Sequence, residues 1–215
     1  IMQFLVNTNF IIQPHSAENI NAYIKEFADN NIGLIFDSVL SNQAYFKQII
    51  SKIKSSFQDV YCFENSLGKE PTYSYLNEVS KYFRKKNPNV IIAIGGGGTL
   101  DLGKGCAFLF NNEGDALKYK GFPKNTNSPL PLITIPTLLG SGAEISYNAV
   151  FVDENENRKL GINSTQNFPK MAIIDPLLSM EAPKYVVISS ALDTLVHCVD
   201  SFGSKKQTTF SRMFS

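Results

Sequence analysis

Five apolar residues, Val90-Ile91-Ile92-Ala93-Ile94, run directly into Gly95-Gly96-Gly97-Gly98 and then into Thr99-Leu100-Asp101-Leu102-Gly103-Lys104. An apolar run without alternation reads as a strand buried on both faces, the kind found in a parallel sheet covered by helices on two sides. The glycines let the backbone come close to a phosphate. The helix start that follows supplies free N–H groups and the positive end of a dipole. The chain is therefore constrained to an α/β layer whose strand-to-helix turn is built for an anion. A tight turn without a ligand is the alternative, but four consecutive glycines would then cost chain entropy without return.

Other segments repeat the alternation. Residues 3–12 alternate like a strand or hairpin, and 17–30 place Ile20, Tyr23, Ile24 and Phe27 at helical spacing behind Ser16 as N-cap. Strands are expected at 33–36, 59–63, 90–94, 132–135, 147–152 and 171–174, and helices at 43–55, 72–86 and 100–110. Asn87-Pro88 closes the helix over 72–86. The pattern predicts a Rossmann-like, mostly parallel sheet with helices on both faces. It changes after Ser189, where 191–202 and 208–214 read as helices with no strand between them. The expected division is an α/β domain over 1–178 and the beginning of an all-helical domain over 179–215. The last helical run meets no Gly or Pro stop signal, so the helical region is expected to continue past residue 215.

Two anion-binding motifs compete for the glycine turn. The GxGxxG frame fails, since it needs a glycine at Leu100 or at Asp101. Gly98 to Lys104 spells GxxxxGK, but Gly105 follows where a P-loop needs Ser or Thr for magnesium. Asp101 and Lys104, three apart, share a helix face. A second loop, Pro136-Thr137-Leu138-Leu139-Gly140-Ser141-Gly142-Ala143-Glu144, offers small residues and hydroxyls that could line a nucleotide or form an ordinary loop. Asp193 and His197 stand at i and i+4, with Asp200 at i+7. One metal ion can be reached by both, and a local carboxylate–imidazole pair is the alternative. Cys198 points off that face, and buried packing is expected for it.

Composition narrows the class. With 43% hydrophobic residues a globular core is available, and a net charge of +1 supplies no field for nucleic acid or an acidic membrane. Arg84-Lys85-Lys86 reads as the basic last turn of a helix. Three separated cysteines suggest neither a disulfide framework nor a zinc site, which suits a cytoplasmic protein. No apolar run approaches the roughly 20 residues of a membrane helix. Ile1-Met2-Gln3-Phe4 lacks a signal peptide's basic leader.

Taken together, the motifs resemble those of the iron-containing (group III) alcohol dehydrogenase family, with its dehydroquinate synthase-like fold. The glycine turn with Asp101 and Lys104 is similar to GGGSxxDxxK, with Gly98 for serine. Residues 135–144 are similar to IPTTxGTGSE, with Leu138, Ser141 and Ala143 as departures. Ile173-Ile174-Asp175-Pro176 resembles ILDP, and residues 191–200 resemble GMDALxHAIE, with Ala191 for glycine and Asp200 for glutamate. Lys69-Glu70-Pro71-Thr72 and residues 158–164 resemble the branch that oxidises the terminal hydroxyl of an eight-carbon sugar acid (3-deoxy-octulosonate 8-oxidase).

The resemblance implies an NAD-linked, metal-dependent oxidoreductase acting on a small alcohol or aldehyde, and a homo-oligomer, expected as a dimer. Asp37 would accept from the adenosine ribose and favour NAD over NADP. Gly96, Gly97 and Gly98 would cradle the pyrophosphate, with Asp101 below them. Thr137, Leu138, Ser141 and Ser146 would line the cofactor, and Lys159 would approach the nicotinamide ribose. Asp193 and His197 would be two ligands of Fe2+ or Zn2+. No further catalytic residue is assigned. The competing readings are a dehydroquinate synthase-like sugar-phosphate cyclase, a P-loop nucleotide-binding module, and an inactive dinucleotide-binding fragment.

Overall fold

The structure is a computed structural model that describes residues 5–25, 27, 31–213 and 215, with Phe210 by its backbone alone. At its centre β4 (Val90–Gly95), buried along its whole length, pairs in parallel with β2 (Asn31–Asp37) on one side and β5 (Leu132–Pro136) on the other. The sheet extends through β3 (Asp59–Asn65) beyond β2, and through β8 (Met171–Ile174) and β1 (Asn9–Ile12) beyond β5. Its order is β1-β8-β5-β4-β2-β3, and every pairing is parallel.

The pleat sorts the core into two layers. Ile92 and Ile94 face α1 (Ile20–Ile24) and α2 (Ala44–Ser56), packing with Ile20, Ile24, Phe46, Ile49 and Ile53. Ile91 and Ala93 face α3 (Tyr73–Lys86) and α4 (Gly97–Asn111), packing with Leu76, Val79, Phe83, Leu102 and Cys106. Both faces are covered, which is why the strands read as unbroken apolar runs. Thr72 caps α3, accepting from the Tyr75 N–H at 3.1 Å, and Asn87 ends it in the left-handed region at φ 52°. Arg84 in the last turn donates to the carbonyl of Leu109, tying the end of α3 to α4.

Several expectations are corrected. Of the strand expected over 3–12, Asn9–Ile12 forms, and residues 3 and 4 lie outside the described residues. The helix expected over 17–30 is a 3-10 turn, Ala17–Asn19, and the short α1; residues 26 and 28–30 lie outside the described residues. Ser16 gives no side-chain capping bond and itself has helical backbone at φ −66°, ψ −36°, rather than the extended backbone of an N-cap; the Ala17 N–H donates to the Asp175 carboxylate at 3.1 Å. Helix α4 starts at Gly97, so two of the four glycines lie in its first turn. The strand near 147–152 is β6 (Asn148–Asp153), one arm of an antiparallel hairpin with β7 (Arg158–Asn163), and Asn157 at φ 48° turns it. Charged Arg158-Lys159 and Gly161 hid β7 from the sequence pattern.

After β8 come α5 (Lys184–Gly203) and α6 (Thr209–Met213); residue 214, in the last expected helix, lies outside the described residues. The β-branched Val186-Val187-Ile188 stretch, weak in helix propensity, masked the start of α5. Cys198, expected in packing, is half-exposed. Contrary to expectation, α5 is by length and composition alone long and apolar enough to cross a membrane, with 20 residues and a mean hydropathy of 1.2. Asp193, His197 and Asp200 interrupt it with groups that lipid would leave unsatisfied.

The interior of α4 holds the most demanding group. The Lys104 side chain is wholly buried, and its Nζ meets Asp101 Oδ1 at 2.8 Å, the Asn148 carbonyl at 2.5 Å and Ser146 Oγ at 3.4 Å. The other Asp101 oxygen accepts the Val150 N–H at 3.1 Å. These bonds fasten the hairpin to α4. Lys104→Met should destabilise the fold by about 3–5 kcal/mol, because it strands a buried carboxylate, whereas adding Asp101→Asn should recover much of the loss. Urea unfolding of both variants tests this; an equal loss in both would show that the pair does not govern the packing.

Candidate functional site

Chain direction across the sheet reverses between β2 and β4, which opens a crevice at their carboxyl ends. Asp37, ending β2, and Gly96, after β4, meet there: Asp37 Oδ2 accepts the Gly96 N–H at 2.7 Å, and Oδ1 accepts the Thr99 hydroxyl. Burial raises the pKa of the Asp37 carboxyl, and hydrogen bonds from Thr99, Gly96 and Asn65 pull it back.

Three of the four glycines have reasons inside the protein. A Cβ on Gly95 would collide with the Asp37 carboxylate, one on Gly97 would lie 2.7 Å from Ser141 Oγ, and one on Gly98 3.3 Å from Pro71 Cδ. Gly96 is different. It has an ordinary extended backbone at φ −75°, and an added Cβ would meet nothing nearer than Asp37 Oδ2 at 3.8 Å and Leu138 Cδ1 at 3.9 Å. The packing of the fold does not require glycine there, and the space in front of it is open. A residue without a side chain at a helix N-cap suits a phosphate.

A cleft of about 510 Å³ gathers most of the expected site. Gly97, Gly98, Asp101, Ser141, Ser146, Lys159, Asp193 and His197 line it, together with Glu70, Ala143, Asn148 and Val150. Asp37, Gly96, Thr137 and Leu138 do not. Thr137 is buried, and its N–H donates to the Gly95 carbonyl at 3.0 Å. Leu138 lines a neighbouring apolar cleft of about 370 Å³ with Leu139, Val187 and Ala191. A larger hollow of about 690 Å³ beside Glu18, Lys25 and Lys52 contains none of these groups.

Asp193 Oδ1 stands 3.6 Å from His197 Nε2, and both side chains are more than half exposed. Carboxylate oxygen and imidazole nitrogen suit Fe2+ or Zn2+ in kind. They fall short in number, since an enclosed catalytic ion usually has three protein ligands. Among the described residues no group of three His, Cys, Asp or Glu side chains is placed to hold a metal. The pair alone does not enclose an ion.

The family model of the iron-containing alcohol dehydrogenases matches residues 7–176. The chain belongs to this family. It is 32% identical over 136 residues to 4-hydroxybutyrate dehydrogenase of Cupriavidus necator, covering 61% of this chain and 35% of that one. To the NAD-dependent methanol dehydrogenase of Bacillus methanolicus it is 24% identical over 214 residues, covering 97% of this chain and 56% of that one. The solved alcohol dehydrogenase from Oenococcus oeni superposes with a TM-score of 0.91 at 25% identity, over 99% of this chain and 56% of that one. The chain thus spans about a third to somewhat over half the length of these relatives.

The P-loop frame fails structurally as well. Lys104 is sealed against Asp101 and cannot reach a phosphate, and Gly105 is pressed between Leu76 and Phe151, where a Cβ would lie 2.7 Å from each. The glycine that brings α4 close to the sheet is Gly103, whose Cβ would lie 2.6 Å from that of Ala93.

Sequence reasoning missed Glu70, paired with Lys159 at 2.8 Å on the cleft, and Asn65, hydrogen-bonded to Thr99 at 2.7 Å. Asn65 ends β3 as Asp37 ends β2, so its strand-end position was the available signal.

Glu144 is buried with one carboxyl oxygen lacking any hydrogen-bond partner, and burial raises its pKa above the ordinary 4.5. An acid whose folded pKa is raised binds more protons folded than unfolded between the two values. Its contribution to stability is lost as pH rises through that window. Glu144→Gln should therefore flatten the decline of the thermal midpoint from about pH 4.5 upward. Parallel midpoint–pH curves for the two proteins would show that Glu144 is not held protonated by the fold.

Proposed function

We propose that the protein is a metal-dependent, NAD-linked alcohol dehydrogenase that interconverts a small alcohol and its aldehyde. The observation that carries this is one cleft lined both by Gly97 and Gly98 of the glycine turn and by Asp193 and His197 of α5. Gly96, Gly97 and Gly98 would hold the pyrophosphate against the N-terminal end of α4. Asp37 would accept from the adenosine ribose, and its charge would disfavour a 2′-phosphate, so that NAD is preferred to NADP. Thr137, Leu138, Ser141 and Ser146 would line the cofactor, Asp101 would form the floor, and Lys159 would meet the nicotinamide ribose. When bound, the nicotinamide accepts a hydride from the carbon bearing the hydroxyl. Asp193 and His197 would be two ligands of the metal ion, the others lying outside the described residues.

Residues 1–178 would thus be the dinucleotide-binding domain and 179–215 part of a helical metal-binding domain, in a cytoplasmic dimer that binds neither nucleic acid nor membrane. A sugar-acid hydroxyl remains within the proposed substrate class through the resemblance of residues 69–72 and 158–164 to that branch, although Lys159 on the cleft is paired with Glu70. A second reading is favoured by the two-donor metal site: the 215-residue chain binds dinucleotide without turnover.

Calorimetry should show NADH binding and no magnesium-dependent ATP binding. Gly96→Ala should keep the thermal midpoint and weaken NADH at least about tenfold, equivalent to roughly 1.4 kcal/mol. Binding of ATP without NADH, or unchanged NADH affinity in Gly96→Ala, would count against the proposal. For the metal, the 215-residue chain should hold Zn2+ or Fe2+ weakly, and His197→Ala should remove that binding. Tight stoichiometric metal in the same chain, retained by His197→Ala, would place the ligands elsewhere.

A further inference from the structure

Behind Asp37 runs a hydrogen-bond chain of side chains from the ends of β2 and β3, the first turn of α4, and α3. Tyr75 on α3 donates its hydroxyl to Asn65 Oδ1 at 3.1 Å, and the Leu67 N–H donates to the same oxygen at 3.3 Å. Asn65 Nδ2 donates to Thr99 Oγ1 at 2.7 Å, and Thr99 donates to Asp37 Oδ1. Asn65 and Thr99 are both buried, at 9% and 2% exposure.

The direction of this chain follows from its ends. Two donors on Asn65 Oδ1 fix the side-chain amide, so its NH2 must face Thr99. Thr99 Oγ1 accepts from that NH2, which leaves its single proton for Asp37. A carboxylate accepts and cannot donate, so every bond in the chain points toward it. The Gly96 N–H is bonded to the second oxygen, so each Asp37 oxygen is held from a fixed direction. Each oxygen keeps a further acceptor site, which is what two vicinal ribose hydroxyls require.

We propose that Thr99 and Asn65 are positioning residues which hold the Asp37 carboxylate across the crevice, and that this aim sets the discrimination between a ribose 2′-hydroxyl and a 2′-phosphate. The inference rests on the NAD reading above. Without the Thr99 hydroxyl, Oδ1 loses the donor that ends this chain, and the carboxylate is less firmly held about its side-chain bonds. A loosened carboxylate both accepts poorly from the ribose and retreats from the place a 2′-phosphate would occupy. NADH affinity should therefore fall while NADPH affinity holds or rises. A purely structural role, by contrast, would weaken both dinucleotides together.

The test measures NADH and NADPH dissociation constants for the 215-residue chain and for Thr99→Val, Thr99→Ser, Asp37→Ala and Asp37→Ala/Thr99→Val. Thr99→Val keeps the shape and removes the hydroxyl; Thr99→Ser keeps the hydroxyl. The expected result is a fall of about tenfold in the NADH preference for Thr99→Val, the size of one hydrogen bond to a charged group. Thr99→Ser should keep the preference, and the double variant should lose no more of it than Asp37→Ala alone. If Thr99→Val weakens both dinucleotides equally, or if the two substitutions act additively on the preference, the positioning role is overturned while the NAD reading stands. If the unsubstituted chain binds neither dinucleotide, both fall together.

Discussion

The hydrogen bond from Gly96 to the Asp37 carboxylate closes the crevice between the carboxyl ends of β2 and β4, and the rest of the site is arranged around it. It forms because the strands on either side of the reversal in strand order end at the same level, with Phe36 beside Ile94. A carboxylate in a half-buried crevice is costly unless donors are fixed in place. Here they are a backbone N–H at a helix start and the hydroxyl of Thr99, in the first turn of the same helix. Two apolar core layers thus converge on a polar seam at the N-terminal end of α4.

A second polar device sets the far wall of the cleft. A lysine without solvent exposure is tolerated in α4 because all three of its protons have acceptors, and the attraction of Asp101 offsets the desolvation of both charges. Two of those acceptors belong to Ser146 and Asn148, at the entrance to the β6–β7 hairpin. The pair thus fastens β6 to α4, alongside the Val152 N–H bond to the Pro71 carbonyl and the Tyr73 hydroxyl bond to the Leu160 carbonyl. Ser146, Asn148, Val150 and Lys159, on or beside this hairpin, line the cleft. Close approach of the helix depends in turn on missing side chains at Gly103 and Gly105.

The central fold was legible because parallel strands buried on both faces announce themselves as apolar runs, and 33–36, 90–94, 132–135 and 171–174 all lie within strands. The hairpin was half legible: β6 carries alternating Ala149 and Phe151 inward, whereas β7 begins with two charged residues on an exposed edge. Asp101 and Lys104 were seen to share a face, but their burial depends on which residues α4 meets, and that is tertiary information. The glycine turn was read as one unit. Only atomic neighbours separate Gly95, Gly97 and Gly98, which the protein needs for its own packing, from Gly96, which it does not. The Asp37–Thr99–Asn65 chain joins three strand and helix ends distant in sequence, so no local pattern could have drawn it.

The loop at 137–144 is what makes one site of two halves. At its start the Thr137 N–H is bonded to the Gly95 carbonyl, and Ser141 packs against Gly97 so closely that no Cβ would fit between them. At Gly140 the same loop touches α5: a Cβ there would lie 2.7 Å from the Ser190 carbonyl oxygen, and Ser190 donates its hydroxyl to Leu139. Ser190 lies just before Asp193 on α5, so the distance from the glycine turn to the Asp193–His197 pair is set by a few residues of bonded backbone. Elsewhere α5 is held loosely, with Leu192, Leu195, Val196, Val199 and Phe202 each more than half exposed. The contact at Gly140 thus fixes one point of a helix whose apolar side chains are otherwise largely exposed. A side chain at Gly140 would shift the Asp193–His197 pair without touching it, because the contact it would break is the one that ties the helix to the loop.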